Sequence, residues 1–405
     1  MNSQINDIWL LMGLVGALTV VAILTRRFFT WIGVPTLVGY FLLGLLLAFV
    51  NQQRPFIVTD ALHVFEFLGS VGVFCLLFRI GLESNVANLL AQLRRAIPVW
   101  IGNVVLSGVS AYLLARYLLG FELVPSLYAG IALTATSIGV SLTVWREAGA
   151  LDTPSGGLLV DVAELDDLSG VALMVVLFAV APVLIEGNGG LLPVIGTTIG
   201  WLLLKAALFL AFCLLFARYL ERPVTGFFKG LEPAPDPMLL VVGTALMIAS
   251  LGEGLGFSLP VGALFAGLVF SRDPDAIKVD ASFSSIFDLF TPFFFIWIGL
   301  SLDVAAIPAG LGIAGAIFAV AVFGKVAGTA LPALPFLGAS SALVLGVSLI
   351  PRAEIAMVIV AEGRKLGDWA MPPALYAGVV LASTMTCVLA PIATNALLRR
   401  WPPEK

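Results

Sequence analysis

The chain has 405 residues, of which 60% are hydrophobic and only 11% are charged, with a mean hydropathy of +1.07 and a formal net charge of −4. A soluble globular domain carries about 25% charged residues, so this composition excludes an ordinary soluble protein and predicts an integral membrane protein. The small net charge and the lack of a basic stretch argue against a nucleic-acid partner.

Apolar runs follow one another along the whole chain. A helix needs about 17–25 residues to cross the roughly 30 Å hydrocarbon core of a bilayer. The sequence therefore predicts an all-α protein with about thirteen transmembrane helices, of which the ninth is short. In chain order these spans are 6–25, 34–50, 60–82, 96–119, 123–148, 156–185, 190–219, 238–255, 258–271, 284–303, 309–332, 338–363 and 372–398.

The distribution of basic residues predicts the orientation, because Lys and Arg concentrate in cytoplasmic loops. With the N-terminus placed outside, thirteen of the 21 lysines and arginines fall on the cytoplasmic side and four in outer loops. The remaining four lie within predicted spans. An odd number of spans then places the C-terminus in the cytoplasm.

Short segments in the first half have counterparts in the second half. The segments VPTLVGYFLLG (34–44) and FRIGLESNVANL (78–89) resemble LPVGALFAGLV (259–269) and IWIGLSLDVAAI (296–307). The matching prolines and glycines are 225 and 218 residues apart, so the two offsets nearly agree. The alternative is that such matches arise by chance in a chain with 41 glycines.

This repeat predicts the domain organisation. Residues 1–189 form a first six-span repeat, residues 190–237 a linker helix and polar loop, and residues 238–405 a second repeat. A single linker span turns the second repeat upside down relative to the first. Inverted repeats are typical of secondary transporters, which bind substrate near the midplane where the repeats meet.

Two spans at equivalent positions of the repeat have sequences that interrupt a helix. Span 5 carries LTATSIGVSLT (133–143), in which Thr136 and Ser137 are candidate ion ligands, and span 12 carries SLIPRAEIAM (348–357). Pro351 removes a backbone donor and disfavours helix before it. Broken helices expose carbonyls and helix ends that bind ions. The alternative for the hydroxyl cluster is ordinary hydrogen bonding between helices.

The segment AELDDLSG (163–170) places Asp166 and Asp167 near the middle of span 6. A charge at that depth costs at least ~2.5–3.5 kcal/mol, so it indicates a functional site. Adjacent helix residues point about 100° apart, so one carboxylate can meet a cation, Lys325 or Arg352, while the other faces a water-filled cavity. The free carboxylate could exchange a proton for a metal cation. The alternative is a buried ion-pair network that only holds the helices together.

Three other ionisable residues also attract attention. Glu164 lies one helical turn before Asp167, and we expect Glu164 and Asp161 either to line a cytoplasmic vestibule or to be solvated charges at a helix end. Lys205 lies in the middle of span 7, and the sequence predicts no partner for it.

The remaining metal-binding residue types give no metal site. Cys75, Cys213 and Cys387 all lie in apolar runs without metal-ligand spacing, so we expect reduced packing residues. His63 is the single histidine and has no companion ligand. We therefore expect no bound cofactor. The expected ligands are the transported cations, Na⁺ or K⁺, and protons.

Several quoted segments together resemble one family. The stretch from TATSIGVSLTVWREAG through VDVAELDDLSG is similar to spans 5 and 6 of the bacterial monovalent cation/proton antiporters, the sodium/proton and potassium/proton exchangers with a paired-aspartate motif. FGKVAGTALPA (323–333) resembles the family's lysine segment in span 11. PRAEIAMVIVAEG (351–363) resembles its Pro-Arg-Gly-Glu segment, with Ala353 in place of glycine.

The resemblance implies a fold with a dimerisation domain and a core domain that contains two crossed discontinuous helices, and a homodimer in the lipid bilayer. It implies that Asp167 is the main carrier of the cation and proton, and that Asp166 pairs with Lys325. The paired aspartates would bind the transported monovalent cation. Arg352 and Glu354 match residues of the broken span 12 that stabilise the core.

The sequence thus predicts a secondary transporter rather than an enzyme, in a bacterial inner membrane. It would exchange Na⁺, K⁺ or Li⁺ for protons by alternating access. The presence of two aspartates, Asp166 as well as Asp167, favours electrogenic exchange. The alternative is a sodium-coupled symporter of an organic anion on the same fold, which would not need a titrating carboxylate pair. A gated cation channel is disfavoured, because no loop resembles a selectivity filter.

Overall fold

The structure is a computed structural model that describes residues 3–54, 57, 59–83, 86–186, 191–220, 223, 237–271 and 276–402. Over these residues it contains fourteen α-helices and no strand, which confirms the all-α prediction. The helices are α1 (Ser3–Trp31), α2 (Thr36–Gln53), α3 (Thr59–Glu83), α4 (Val86–Leu113), α5 (Leu123–Ala132), α6 (Ile138–Glu147), α7 (Pro154–Glu186), α8 (Leu191–Leu215), α9 (Pro237–Gly254), α10 (Leu259–Phe270), α11 (Ala276–Leu300), α12 (Ile307–Ser348), α13 (Glu354–Leu366) and α14 (Pro373–Arg400).

The helices match a membrane protein in length and composition. Eight of those in the described residues are long and apolar enough to cross a membrane, and four shorter apolar helices of 10–17 residues accompany them. Large apolar side chains such as Met12, Trp31 and Met247 lie exposed on the outside of the molecule. An outer surface of this kind suits lipid. The polar stretch 218–237, predicted to separate the two halves, lies largely outside the described residues.

The helices follow the predicted spans, and two spans consist of two helices each. Span 5 is divided into α5 and α6. Gly338 has φ 72° and divides α12 into two parts. The first part is the predicted span 11, and residues 339–348 together with α13 form span 12. The predicted short ninth span is α10, with 12 residues.

Helix packing divides most of the molecule into two groups. The four-helix group consists of α2, α3, α10 and α11, with α1 and α9 packed beside it. The seven-helix group consists of α4, α5, α6, α7, α12, α13 and α14. Helix α8 packs against α7 of one group and α10 of the other. Direct packing between the two groups is sparse and includes α2 against α14.

In the four-helix group, α2 and α11 meet with their backbones in contact. A Cβ atom added to Gly44 would lie 2.0 Å from the carbonyl oxygen of Ile296, and one added to Gly299 would lie 2.3 Å from that of Phe41. No side chain fits at either position. Small residues allow membrane helices to approach this closely, where packing replaces the hydrophobic effect as the source of association.

Helices α3 and α10 meet in the same way. A Cβ atom added to Gly81 would lie 2.3 Å from the carbonyl oxygen of Leu264, and one added to Gly267 would lie 2.2 Å from that of Phe78. The predicted repeat aligns Gly81 with Gly299 and brings Gly44 within two positions of Gly267. The inverted repeat itself stays a prediction.

Candidate functional site

The two interrupted spans cross at their breaks, inside the seven-helix group. Residues 133–137 separate α5 from α6, and residues 349–353 separate α12 from α13. The backbone N–H of Ser137 donates a hydrogen bond to the carbonyl oxygen of Pro351 at 2.8 Å. A peptide group freed by one break is thus satisfied by the other, as buried backbone groups require. The predicted pair of crossed discontinuous helices is present.

Two buried cations satisfy carbonyl groups that the breaks leave free. Lys325 Nζ donates to the carbonyl oxygen of Thr134 at 2.6 Å. Arg352 Nη1 donates to those of Ala135 at 2.9 Å and Leu349 at 3.4 Å. The carboxyl end of a helix carries partial negative charge. The two side chains therefore neutralise the ends of α5 and α12, where they face each other.

Arg352 is held in the second break by α14. Its backbone N–H donates to the hydroxyl of Thr386 at 3.0 Å, and the thiol of Cys387 donates to its carbonyl oxygen at 2.9 Å. Arg352 was one of two candidate ion-pair partners for the aspartates, but within the described residues its side chain donates to backbone carbonyls. This corrects the expectation, and it fits the role in supporting the core that the resemblance implies.

Asp166 is completely buried in α7 and accepts three hydrogen bonds on one oxygen. Oδ2 accepts from Lys325 Nζ at 2.8 Å, from Thr136 Oγ1 at 2.6 Å and from Asn103 Nδ2 at 2.5 Å. Both the carboxylate and the ammonium group are 0% exposed. The predicted ion pair between Asp166 and Lys325 is therefore present. A buried charge needs such partners, because leaving it unpaired is costly.

Asp167 differs from its neighbour in being partly exposed. Its carboxylate interacts electrostatically with Glu354, Asp166 and Lys325. Glu354 is the first residue of α13, where the positive end of the helix stabilises a carboxylate. Asp167 and Glu354 thus place two carboxylates near the crossing point of the broken helices.

The hydroxyl of Ser137 lies at the same crossing. Ser137 is buried, and its Oγ lies close to the carboxylate of Glu354. The structure therefore brings together Asp166, Asp167, Thr136 and Ser137, which were all predicted as ion ligands.

Asp161 and Glu164 lie on α7 before the aspartates and are partly exposed. Residues three apart on a helix share a face, so Asp161, Glu164 and Asp167 form a row along α7. The vestibule and the solvated helix end both remain predictions for Asp161 and Glu164, and Asp167 lies at the end of the row deepest in α7.

Lys205 lies away from this site and has partners that the sequence did not reveal. Its Nζ donates to the carbonyl oxygen of Leu255 at 3.1 Å, just beyond the end of α9, and lies 5.8 Å from the centre of the Trp201 ring. Lys205 therefore caps a helix end, which favours a structural role. The three cysteines are free and buried, as expected.

Sequence reasoning missed Asn103, which is 0% exposed and bonded directly to Asp166. It also missed the contact of Trp100 Nε1 with Ser169 Oγ at 3.1 Å, which ties α4 to α7 close to the aspartates. The signal for Asn103 was a single amide inside the apolar run WIGNVVLSG (100–108) of span 4. An isolated polar residue in a span usually faces another helix.

Crossed helix breaks with carboxylates at the crossing define the protein as a secondary transporter of the discontinuous-helix class. Comparison with known families is more specific. The chain belongs to the sodium/hydrogen exchanger transmembrane family, whose model matches residues 16–400. Members of this family are transporters and not enzymes.

Two curated relatives cover most of the chain. It is 28% identical over 338 residues to the high-affinity Na⁺/H⁺ antiporter NhaS3 of Synechocystis, covering 81% of this chain and 70% of the relative. It is 26% identical over 333 residues to the Na⁺/H⁺-K⁺ antiporter GerN of Bacillus cereus, covering 80% and 81% of the two chains.

Among solved structures, the chain is similar to the sodium proton antiporter MjNhaP1 of Methanocaldococcus jannaschii, with a TM-score of 0.68. The two chains are 16% identical, and the match covers 98% of this chain and 97% of the other. This likeness supports the fold. The alternative expectation of a sodium-coupled symporter receives no support from these comparisons.

Proposed function

We propose that this protein exchanges a monovalent cation, Na⁺, K⁺ or Li⁺, for protons across the membrane by alternating access. The observation that carries the proposal is the contrast between the two aspartates at the crossing of the broken helices. Asp166 is fully buried and paired with Lys325, whereas Asp167 is partly exposed, and no ion pair of Asp167 occurs among the described residues. Asp167 is thus the group that is available to bind a cation or a proton. The names of the two bacterial relatives, which specify Na⁺ and K⁺, support this choice of ions.

The proposed cation site consists of oxygen atoms around Asp167. The carboxylates of Asp167 and Asp166 supply charge, and the hydroxyls of Ser137 and Thr136 supply neutral ligands. Carboxylate, hydroxyl and carbonyl oxygens are the ligands that hard cations prefer. Asp161 and Glu164 would line the path by which the cation reaches this site.

We also propose that the exchange is electrogenic. The cation would compete with Lys325 for Asp166. Binding of one cation would then release two protons, one from Asp167 and one from Lys325. More than one proton per monovalent cation moves net charge, and each charge is worth about 2.3 kcal/mol per 100 mV. Arg352 and Glu354 would hold the two breaks in register during this cycle.

The setting of the protein is part of the proposal. The distribution of Lys and Arg supports an external N-terminus and a cytoplasmic C-terminus, and a bacterial inner membrane is proposed from the family resemblance. The matched glycine contacts Gly44–Gly299 and Gly81–Gly267 support the inverted repeat. A homodimer is proposed from the family resemblance alone.

Purified protein in liposomes that contain a pH-sensitive dye tests the exchange. Adding Li⁺, Na⁺ or K⁺ should move protons across the membrane without any organic solute, and Asp167→Asn should not respond to any of the three ions. An uncoupled cation current, or a requirement for an organic anion, would reject the antiporter. A cation jump on a solid-supported membrane should give a transient current, and its absence during active exchange would show electroneutral transport.

A further inference from the structure

The side chain of Asn103 is a neutral donor inside the buried charge cluster. We propose that Asn103 is a positioning residue that holds the Asp166 carboxylate when Lys325 releases it during cation binding. This inference rests on the proposed exchange and adds a residue to it. Asp166 Oδ2 accepts hydrogen bonds from three side chains at once, those of Asn103, Thr136 and Lys325.

The three donors differ in what they can do during a transport cycle. Lys325 is charged and shared, because its Nζ also donates to the carbonyl oxygen of Thr134 at 2.6 Å. If Lys325 gives up a proton and its bond to Asp166, the neutral amine can still donate to that carbonyl. Asn103 and Thr136 are neutral donors, so a cation that enters the site does not repel them as it repels an ammonium group.

Asn103 is also the donor whose position is fixed most firmly. It lies where α4 and α12 cross with their backbones in contact. A Cβ atom added to Gly102 would lie 2.5 Å from the carbonyl oxygen of Gly328, and one added to Gly328 would lie 2.5 Å from that of Gly102 and 3.0 Å from the Cα atom of Asn103. Thr136, by contrast, lies in the break between α5 and α6. The Asn103 amide is therefore attached to a rigid crossing.

Neutral donors matter most in the state in which Lys325 has left. In the proposed cycle the cation replaces Lys325 on Asp166 but cannot donate a hydrogen bond, and a buried carboxylate that loses partners is destabilised. Asn103 and Thr136 supply the hydrogen bonds that remain. Loss of Asn103 should therefore penalise the cation-bound state more than the resting state, in which Lys325 still pairs with Asp166.

Asn103→Leu tests this proposal, because leucine has a similar volume and no donor. Hydrogen bonds to charged groups contribute enough to predict a rise of roughly tenfold or more in the cation KM. The maximal exchange rate should change much less. In detergent, the rise in melting temperature that the cation causes in the unmodified protein should be lost. Asn103→Ala, which introduces no new bulk at the crossing, replaces the leucine variant if that variant does not fold.

Ser107→Ala is the matched control. Ser107 lies one turn further along α4, is 1% exposed, and faces α12 at Gly324, but its hydroxyl has no partner among the described residues. This variant should keep the normal KM and the normal cation-induced stabilisation.

The possible results separate the two proposals. If Asn103→Leu and Asn103→Ala lower the melting temperature but keep the normal KM and cation response, Asn103 is only structural and the inference is wrong. If the unmodified protein neither moves protons nor gains thermal stability with any alkali cation, the proposed function fails and this inference fails with it.

Discussion

The two helix groups solve the problem of packing inside a membrane in different ways. In the described residues, every buried polar or charged side chain except Thr291 belongs to the seven-helix group. The four-helix group is instead held by backbone contacts at Gly44–Gly299 and Gly81–Gly267. The four-helix group is thus built almost entirely from apolar packing, which suits a rigid support. The other carries the buried charges that transport requires.

The seven-helix group can bury charged side chains because its broken helices supply hydrogen-bond acceptors for them. The free carbonyls of Thr134 and Ala135 are acceptors for Lys325 and Arg352. Without the breaks Arg352 would lose its backbone acceptors and Lys325 would keep only Asp166, and without the cations the breaks would expose unsatisfied carbonyls. The breaks and the buried charges therefore depend on each other.

The largest effect is expected at Asp167, the aspartate of the pair that is available to bind a cation or a proton. Asp167→Asn should abolish cation-dependent proton movement in liposomes while the protein still folds, because an amide neither exchanges a proton nor neutralises a cation. Asp288→Asn makes the same chemical change at a half-exposed site in the four-helix group and should leave exchange intact. Full exchange by Asp167→Asn would show that Asp167 does not carry the cation and proton.

A comparison of two ion pairs should give the next largest effect. Lys325→Ala leaves Asp166 buried and unpaired, so it should destabilise the protein by about 3–5 kcal/mol. Arg26→Ala breaks the Arg26–Asp288 pair beside the four-helix group. There the N–O distance is 2.7 Å, but the two side chains are 54% and 49% exposed. That loss should cost at most about 1 kcal/mol. Equal melting temperatures for the two variants in detergent would contradict the contrast.

The glycine contacts predict an effect of intermediate size on stability. Gly44→Ala places a Cβ atom against the backbone of α11, which cannot move aside as a side chain can, and overpacking typically costs about 1–3 kcal/mol. Gly243→Ala is the control, because a Cβ atom there would meet nothing within 4 Å. Thermal melting in detergent should separate the two. Similar melting temperatures would mean that α2 and α11 are not in backbone contact.

How much of this the sequence could predict differs between the two groups as well. The breaks and a buried charge pair were predictable, because Pro351, a hydroxyl cluster and charges at membrane depth are all rare inside spans. The choice of Lys325 rather than Arg352 as the partner of Asp166 came from the family resemblance. The partners of Arg352 were not, because they are backbone carbonyls that the broken geometry creates. Asn103 was not recognised either. A lone amide reads as an ordinary interhelical contact until the crossing of α4 and α12 places it on Asp166.

The smallest effect is expected where the two groups touch. Tyr376 belongs to α14, and its hydroxyl lies 3.3 Å from the carbonyl oxygen of Ile298 and 3.2 Å from the hydroxyl of Ser301, at the end of α11. If the groups move relative to each other during alternating access, these contacts belong to the present arrangement and must break.

Tyr376→Phe removes these contacts but keeps the ring, so it should cost this arrangement about 0.5–1.5 kcal/mol, the net value of a hydrogen bond. A shift of that size changes the ratio of two conformations by up to roughly tenfold. The maximal exchange rate should therefore change, while the cation KM, which depends on the distant aspartates, should change less. Ser301→Ala keeps the bond from Tyr376 to Ile298 and should have a smaller effect on the rate. If Tyr376→Phe lowers the melting temperature but leaves the rate of exchange unchanged, the contact stabilises the fold without breaking during transport, and the two groups do not separate there.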